Sequence, residues 1–292
     1  MNVQKISRYP GIRAFETQEC DLFFGRHAEI QKLHAQVKAQ SLVVLFAKSG
    51  IGKSSLINAG LIPVLEREYF KVVKIRLQDT STAPVQTVKN ALEVFVDHDL
   101  LSKYKKSAAN ELDLWEYAKS CEKEDHFLIL VFDQFEEFFE HPKSEQLKLT
   151  VELADLINNR LPNRIQESLR STAFTQRTEE YLKWHSPVRV KVLIAIRSDR
   201  ISLLDDMSNE IPGILHQRFH LRALNQEQAQ SAIIEPALLE GDNYSTAPFK
   251  YAPGTLQKIL GFLSNSKGEI ESFQLQLVCH RIEQEILERH GK

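Results

Sequence analysis

Ala47-Lys48-Ser49-Gly50-Ile51-Gly52-Lys53-Ser54-Ser55 is the stretch from which the rest of this 292-residue chain is read. It follows the apolar run Leu42 to Phe46 and opens a segment of helical spacing that reaches Glu68. A buried strand, a glycine turn and a helix start, in that order, make an anion cradle, because the first N–H groups of the helix have no partner inside it. Gly50 and Gly52 let the backbone turn tightly and bring further N–H groups toward phosphate oxygens. Lys53 is placed to neutralise β- and γ-phosphates, and Ser54 to offer a hydroxyl to Mg²⁺. Ser49, Ile51 and Ser55 complete the expected nucleotide-binding set. The first glycine of G-x-x-x-x-G-K-[ST] is Ala47 here, a residue small enough to keep the loop viable.

A second apolar strand, Phe127 to Phe132, ends in Asp133-Gln134-Phe135-Glu136-Glu137. An acid at the carboxyl end of a parallel strand suits magnesium, so Asp133 joins Ser54 as a metal candidate. Glu136 and Glu137 are candidates for the general base toward an attacking water, Glu136 the preferred of the two; otherwise they serve only as acids at a helix start. Val188 to Ile196 reads as another strand, ending in Arg197-Ser198-Asp199-Arg200. Arg197 is a candidate to stabilise charge on a γ-phosphate, with a surface ion pair to Asp199 or Asp205 as the alternative.

Between these runs lie Lys71 to Leu77 and Arg218 to Leu224 as further strands. His27 to Gln40, Val85 to Leu101, Ala108 to Lys123 and Glu145 to Leu169 read as helices, the last with a break near Pro162. After Asn225 the pattern is helical throughout. Short buried strands alternating with helices predict an α/β fold, a three-layer sandwich with a parallel sheet, followed by a small helical lid domain. The expected division is an N-terminal segment 1–26, a core 27–224 and a lid 225–292.

Composition narrows the class. Lys plus Arg is 37 and Asp plus Glu 39, a net charge of −2, so bulk charge does not suggest a nucleic-acid or membrane surface. Three separated cysteines argue against a disulfide framework, and no apolar run approaches the roughly twenty residues of a membrane span; a cytoplasmic location is expected. His216 and His220 have the spacing of helical metal ligands but lead into a strand. Lys103-Tyr104-Lys105-Lys106 reads as a solvated loop, and Arg160, Arg164, Arg170 and Arg177 are not expected to form a nucleic-acid face. No Asn-Lys-x-Asp segment for reading guanine is present.

Taken together, the motifs resemble those of the bacterial STAND-type NTPases, a signal-transduction branch related to AAA+ and NACHT ATPases. Tyr9-Pro10-Gly11-Ile12-Arg13-Ala14-Phe15 is similar to that group's opening segment. Leu22-Phe23-Phe24-Gly25-Arg26-His27-Ala28-Glu29 is similar to its hydrophobic-Gly-Arg-x-x-Glu motif, and Asp133 to Glu137 and Ile196 to Asp199 to its acidic-strand and sensor motifs. The resemblance implies ATP or ADP with Mg²⁺, slow hydrolysis and a regulatory switch in signalling, including defence or cell death. It adds Gly25 and Arg26 to the nucleotide-binding set. It implies protein partners or self-assembly through further domains, a winged-helix domain first. Relatives commonly carry proline where Ser272 stands, so a looser lid grip on the base is expected. An AAA+-like ATPase acting on DNA and a non-hydrolysing scaffold are the alternatives.

Overall fold

A computed structural model describes residues 5–68, 70–105, 112–122, 126–173, 175 and 177–290. It contains five strands: β1 (Leu42–Ala47), β2 (Phe70–Ile75), β3 (Phe127–Phe132), β4 (Val190–Arg197) and β5 (Arg218–His220). They form one sheet in the order β2-β3-β4-β1-β5, all parallel. β2 runs in register with β3 from Phe70 opposite Phe127, and β3 with β4 from Leu128 opposite Val190. The wholly apolar β1 and β3 are buried along nearly their whole length, as strands covered on both faces must be.

The helices are α1 (His27–Ala39), α2 (Lys53–Ser55), α3 (Ile62–Arg67), α4 (Pro84–Leu92), α5 (His98–Lys105), α6 (Leu114–Ser120), α7 (Lys143–Ile157), α8 (Asn163–Ser171), α9 (Glu179–Trp184), α10 (Gln226–Leu238), α11 (Thr255–Leu263) and α12 (Ser272–His290). Three expected helices are interrupted. Val96 is extended between α4 and α5, and the Asp97 carboxylate caps α5 by accepting from the Leu100 N–H at 3.0 Å. The expected helix from Glu145 breaks after Ile157, where Asn159 takes φ of 54°, and Pro162 leads into α8. Between α2 and α3 the chain forms a π-helical turn, Leu56–Leu61. Lys103 to Lys105, expected in a solvated loop, are instead the last residues of α5; Lys106 and the start of the helix expected from Ala108 lie outside the described residues.

The described chain divides into two compact units. The larger, Ala35–Phe46 with Leu65–Phe219, carries the sheet. Its core joins Val44, Leu130, Val192 and Ile194 from the strands to Val88, Trp115, Leu149 and Leu153 from α4, α6 and α7. Trp115 and Trp184 meet edge to face at 5.9 Å. Arg164 is spent within this unit, 2.5 Å from the buried Glu116 carboxylate.

The smaller unit comprises Met1–His34, Ala47–Val64 and His220–Lys292. Here α10, α11 and α12 bury Ile233, Ile259, Leu263, Leu275 and Cys279 around Tyr9. An Asn225–Gln228 capping box starts α10. The N-terminal segment threads through this unit. Arg8 and Glu283 are fully buried: the Glu283 carboxylate accepts from Ser7 Oγ at 2.6 Å and the Arg8 N–H at 3.0 Å. The Arg8 guanidinium donates to the carbonyls of Pro236, Leu239 and Thr246 at 2.6, 3.0 and 2.8 Å, and to Thr246 Oγ1 at 2.9 Å. The expected opening segment is thus a staple across the helical lid. No described helix is long and apolar enough to cross a membrane.

Candidate functional site

The phosphate loop belongs to the smaller unit. Gly50 and Gly52 adopt φ of 78° and 95°, left-handed values that a side chain would oppose, and Gly52 is the N-cap of α2. Lys53 is buried, and its ammonium donates to the Ala47 carbonyl at 3.2 Å, curling back over the loop that leaves β1. The helix that follows is held by the N-terminal segment. Ser55 Oγ accepts from the Phe15 N–H at 3.2 Å, and Asn58 Nδ2 donates to the Phe15 carbonyl at 2.9 Å. Small residues make this fit possible: a Cβ added at Gly60 would lie 2.8 Å from Ile30.

Gly25 and Arg26, expected beside the nucleotide, pack against the loop's outer side and the lid. Arg26 is 3% exposed; its Nη2 donates to the Ile51 carbonyl and to Ser272 Oγ, each at 3.2 Å. Burial pulls its pKa below the ordinary value, with Glu29 opposing. Glu29 Oε1 accepts from Arg26 Nη1 at 3.2 Å and from Gln228 Nε2 at 2.7 Å, which ties α1 to the first turn of α10. A Cβ at Gly25 would meet the Gln228 carbonyl oxygen at 2.3 Å. Ser272 donates to the Ile51 carbonyl at 3.0 Å, a hydrogen bond that proline could not make.

The acidic strand end belongs to the larger unit. Phe135 and Phe138, three apart on a 3₁₀ helix (Phe135–Glu140), are 1% and 0% exposed and stack at 4.8 Å. Burying two phenylalanines stabilises this turn by about 2–3 kcal/mol each. It thereby fixes the register of Glu136 and Glu137 between them. Gln134 takes φ of 56°, unusual for a residue with a side chain, and turns the chain out of β3. Asp133 is buried with the Lys74 ammonium 3.7 Å away.

The two glutamates are not equivalent. Glu137 is paired with Arg76 at 2.8 Å, and Arg76 also donates to Gln134 Oε1. The hydrogen bond to Glu137 raises the Arg76 pKa, against burial. Glu136 Oε2 instead accepts from the backbone N–H of Arg197 at 3.3 Å. The Arg197 guanidinium is exposed and grips Asp199 at 2.8 and 3.1 Å, the surface ion pair weighed for it above. That pairing raises the Arg197 pKa and lowers that of Asp199. Arg76 and Lys74 escaped the sequence reading. They sit at the end of a strand whose alternation marks them only as outward-facing, and their acidic partners are more than fifty residues away.

A parallel sheet, a glycine loop capped by a lysine-led helix, and an acid closing another apolar strand define a P-loop nucleoside triphosphatase. The family model of Novel STAND NTPase 1 matches residues 9–264, and the chain belongs to that family. It is a nucleotide-binding NTPase. Among solved structures it is similar to the Aeropyrum pernix ORC2 protein (ADPNP-ADP complexes), with TM-score 0.56, 14% identity, 97% of this chain and 65% of that chain. It is also similar to the A. pernix ORC1 protein solved in complex with DNA, with TM-score 0.56, 12% identity, 93% of this chain and 63% of that chain. A Walker-type ATPase of Pyrococcus abyssi gives TM-score 0.52 and 11% identity, over 95% of this chain and 75% of that chain. The chain thus spans just under two thirds of the length of the ORC proteins, and the likeness at these identities is one of fold. No curated protein matches it in sequence.

Proposed function

We propose that this chain binds ATP with Mg²⁺ and hydrolyses it slowly, as the switch module of a signalling protein. The observation that carries this reading is the loop: two left-handed glycines, a buried lysine bent over the loop's own carbonyls, and a helix start, all in one unit. The buried Lys53 ammonium lies against its own loop's carbonyls and puts positive charge beside a helix start, the place where a phosphate is favoured. The donor set also fits magnesium, a hard cation that takes oxygen ligands and keeps much of its water. Ser54 and Asp133 would hold it, and it would neutralise charge on the β- and γ-phosphates. Gly50, Gly52, Ser49, Ile51 and Ser55 would supply the cradle and Lys53 the positive charge. Glu136 would accept a proton from water. Glu137, already neutralised by Arg76, would position the turn. Arg197 would leave Asp199 to reach the γ-phosphate. The switch role, in defence or cell-death signalling, rests on the family.

Calorimetry on Lys53→Ala tests the reading. The wild-type chain is expected to bind ATP–Mg²⁺, and the variant to lose about 100-fold or more, since desolvated charge–phosphate contacts are worth several kcal/mol. Unchanged affinity in a folded Lys53→Ala chain would refute the assignment.

A further inference from the structure

We infer that Ser272 and Arg26 form a latch that docks the last lid helix on the backbone of the phosphate loop and sets how fast nucleotide leaves. The inference rests on the nucleotide site proposed above and names a control on it.

The latch is built from carbonyls and the donors of a helix start. The first N–H groups of a helix lack partners within it. In α12 the Phe273 N–H donates to the Gly50 carbonyl at 3.0 Å. One residue earlier, the single Ser272 hydroxyl proton goes to the Ile51 carbonyl at 3.0 Å, while its oxygen accepts from Arg26. Arg26 reaches the same Ile51 carbonyl, so that oxygen receives two donors, one of them charged and buried. The loop's glycines carry the contact physically. A Cβ at Gly50 would meet Phe273 Cβ at 3.3 Å, and one at Gly52 would meet Ser272 Cβ at 3.7 Å. Through Glu29 and Gln228 the same arginine is joined to α10 as well.

A peptide whose carbonyl is pinned on one side has its N–H fixed toward the other. Holding the Gly50 and Ile51 carbonyls against the lid therefore orients the following amides, the donors a phosphate needs, before any nucleotide arrives. If α12 lifts, those peptide planes are free to rotate and the cradle loses its preorganisation. The lid thus acts on the phosphate end of the ligand through the loop's own backbone. Ser272 and Arg26 are positioning residues in this scheme.

The test compares wild type, Ser272→Ala and Ser272→Thr. Stopped-flow release of N-methylanthraniloyl-ADP, with Mg²⁺ present, is the first readout. Losing one hydrogen bond of about 0.5–1.5 kcal/mol should speed release roughly 2- to 12-fold in Ser272→Ala, and threonine, which keeps the hydroxyl, should restore it. Hydrogen exchange at the Phe273 amide in the nucleotide-free chain is the second. It should quicken in the alanine variant and not in the threonine variant. Unchanged exchange at Phe273 overturns the latch, and faster exchange with unchanged release overturns its control of the nucleotide. Failure of threonine to restore either quantity shows that the hydroxyl is not the agent. A wild-type chain that binds no ADP refutes instead the nucleotide reading, so the two failures are told apart.

Discussion

Replacing Arg8 by methionine removes a buried guanidinium while keeping much of its apolar stem. In the native chain that guanidinium satisfies three backbone carbonyls and the Thr246 hydroxyl, and lies 4.5 Å over the Tyr244 ring. Stripping the donor from a buried acceptor costs about 1–3 kcal/mol each, reduced where water or relaxation can help. The stacked cation adds about 1–2 kcal/mol. Glu283, fully buried beside it, keeps its hydrogen bonds to Ser7 and the Arg8 N–H but loses the compensating charge. The two charges are linked through Thr246 Oγ1 and are not in direct contact, so the cost stays below that of breaking a buried ion pair, about 3–5 kcal/mol. These contributions overlap, so the expected loss is about 4 kcal/mol, a large share of a stability of about 5–15 kcal/mol. Both tryptophans, Trp115 and Trp184, lie in the sheet-bearing unit, so fluorescence is the wrong probe. Native-state hydrogen exchange at α10 and α12 is the right one. Protection there should fall by about three orders of magnitude. Arg8→Lys should lose less, because its ammonium keeps the charge and up to three donors. A drop of less than tenfold in Arg8→Met would refute the idea that the N-terminal segment staples the lid.

Two further outcomes are expected. Glu136→Gln should retain nucleotide and lose roughly 10²- to 10⁴-fold in turnover, as removal of a general base does, while Glu137→Gln, which breaks the Arg76 pair, should lose less. Single-turnover phosphate release checks this, and the reverse order would transfer the base to Glu137. Burial raises the Glu152 carboxyl pKa, with its hydrogen bond from the Leu114 N–H opposing. A carboxyl whose folded pKa exceeds its unfolded one contributes stability below the unfolded pKa, and loses that contribution as pH rises through the folded pKa. Glu152→Gln should therefore flatten the fall in the urea midpoint between mildly acidic and neutral pH; an unaltered slope would show that Glu152 is not its source.

The sequence by itself determined the elements whose signal is local. The apolar runs of β1 and β3 read as buried strands, and Gly50, Gly52 and Lys53 between a strand and a helix read as a phosphate loop, because strand burial and turn geometry are written within a few residues. The acid at Asp133 and the arginine at Arg197 were legible for the same reason, each closing an apolar strand. Even the breaks at Asp97 and Pro162 carried local marks, a capping carboxylate and a ring, though only the second was read. Tertiary structure alone decided which partner each polar group takes. Nothing near Arg26 in sequence points to the Ile51 carbonyl or Ser272, and nothing near Arg8 to Pro236 or Thr246. Glu136 and Glu137, adjacent in the chain, were separated only when Arg76, just past the end of β2, claimed one of them. A hydrogen bond across more than two hundred residues depends on where packing brings its two ends. A periodicity reports which face of an element is buried, and not what that face will meet.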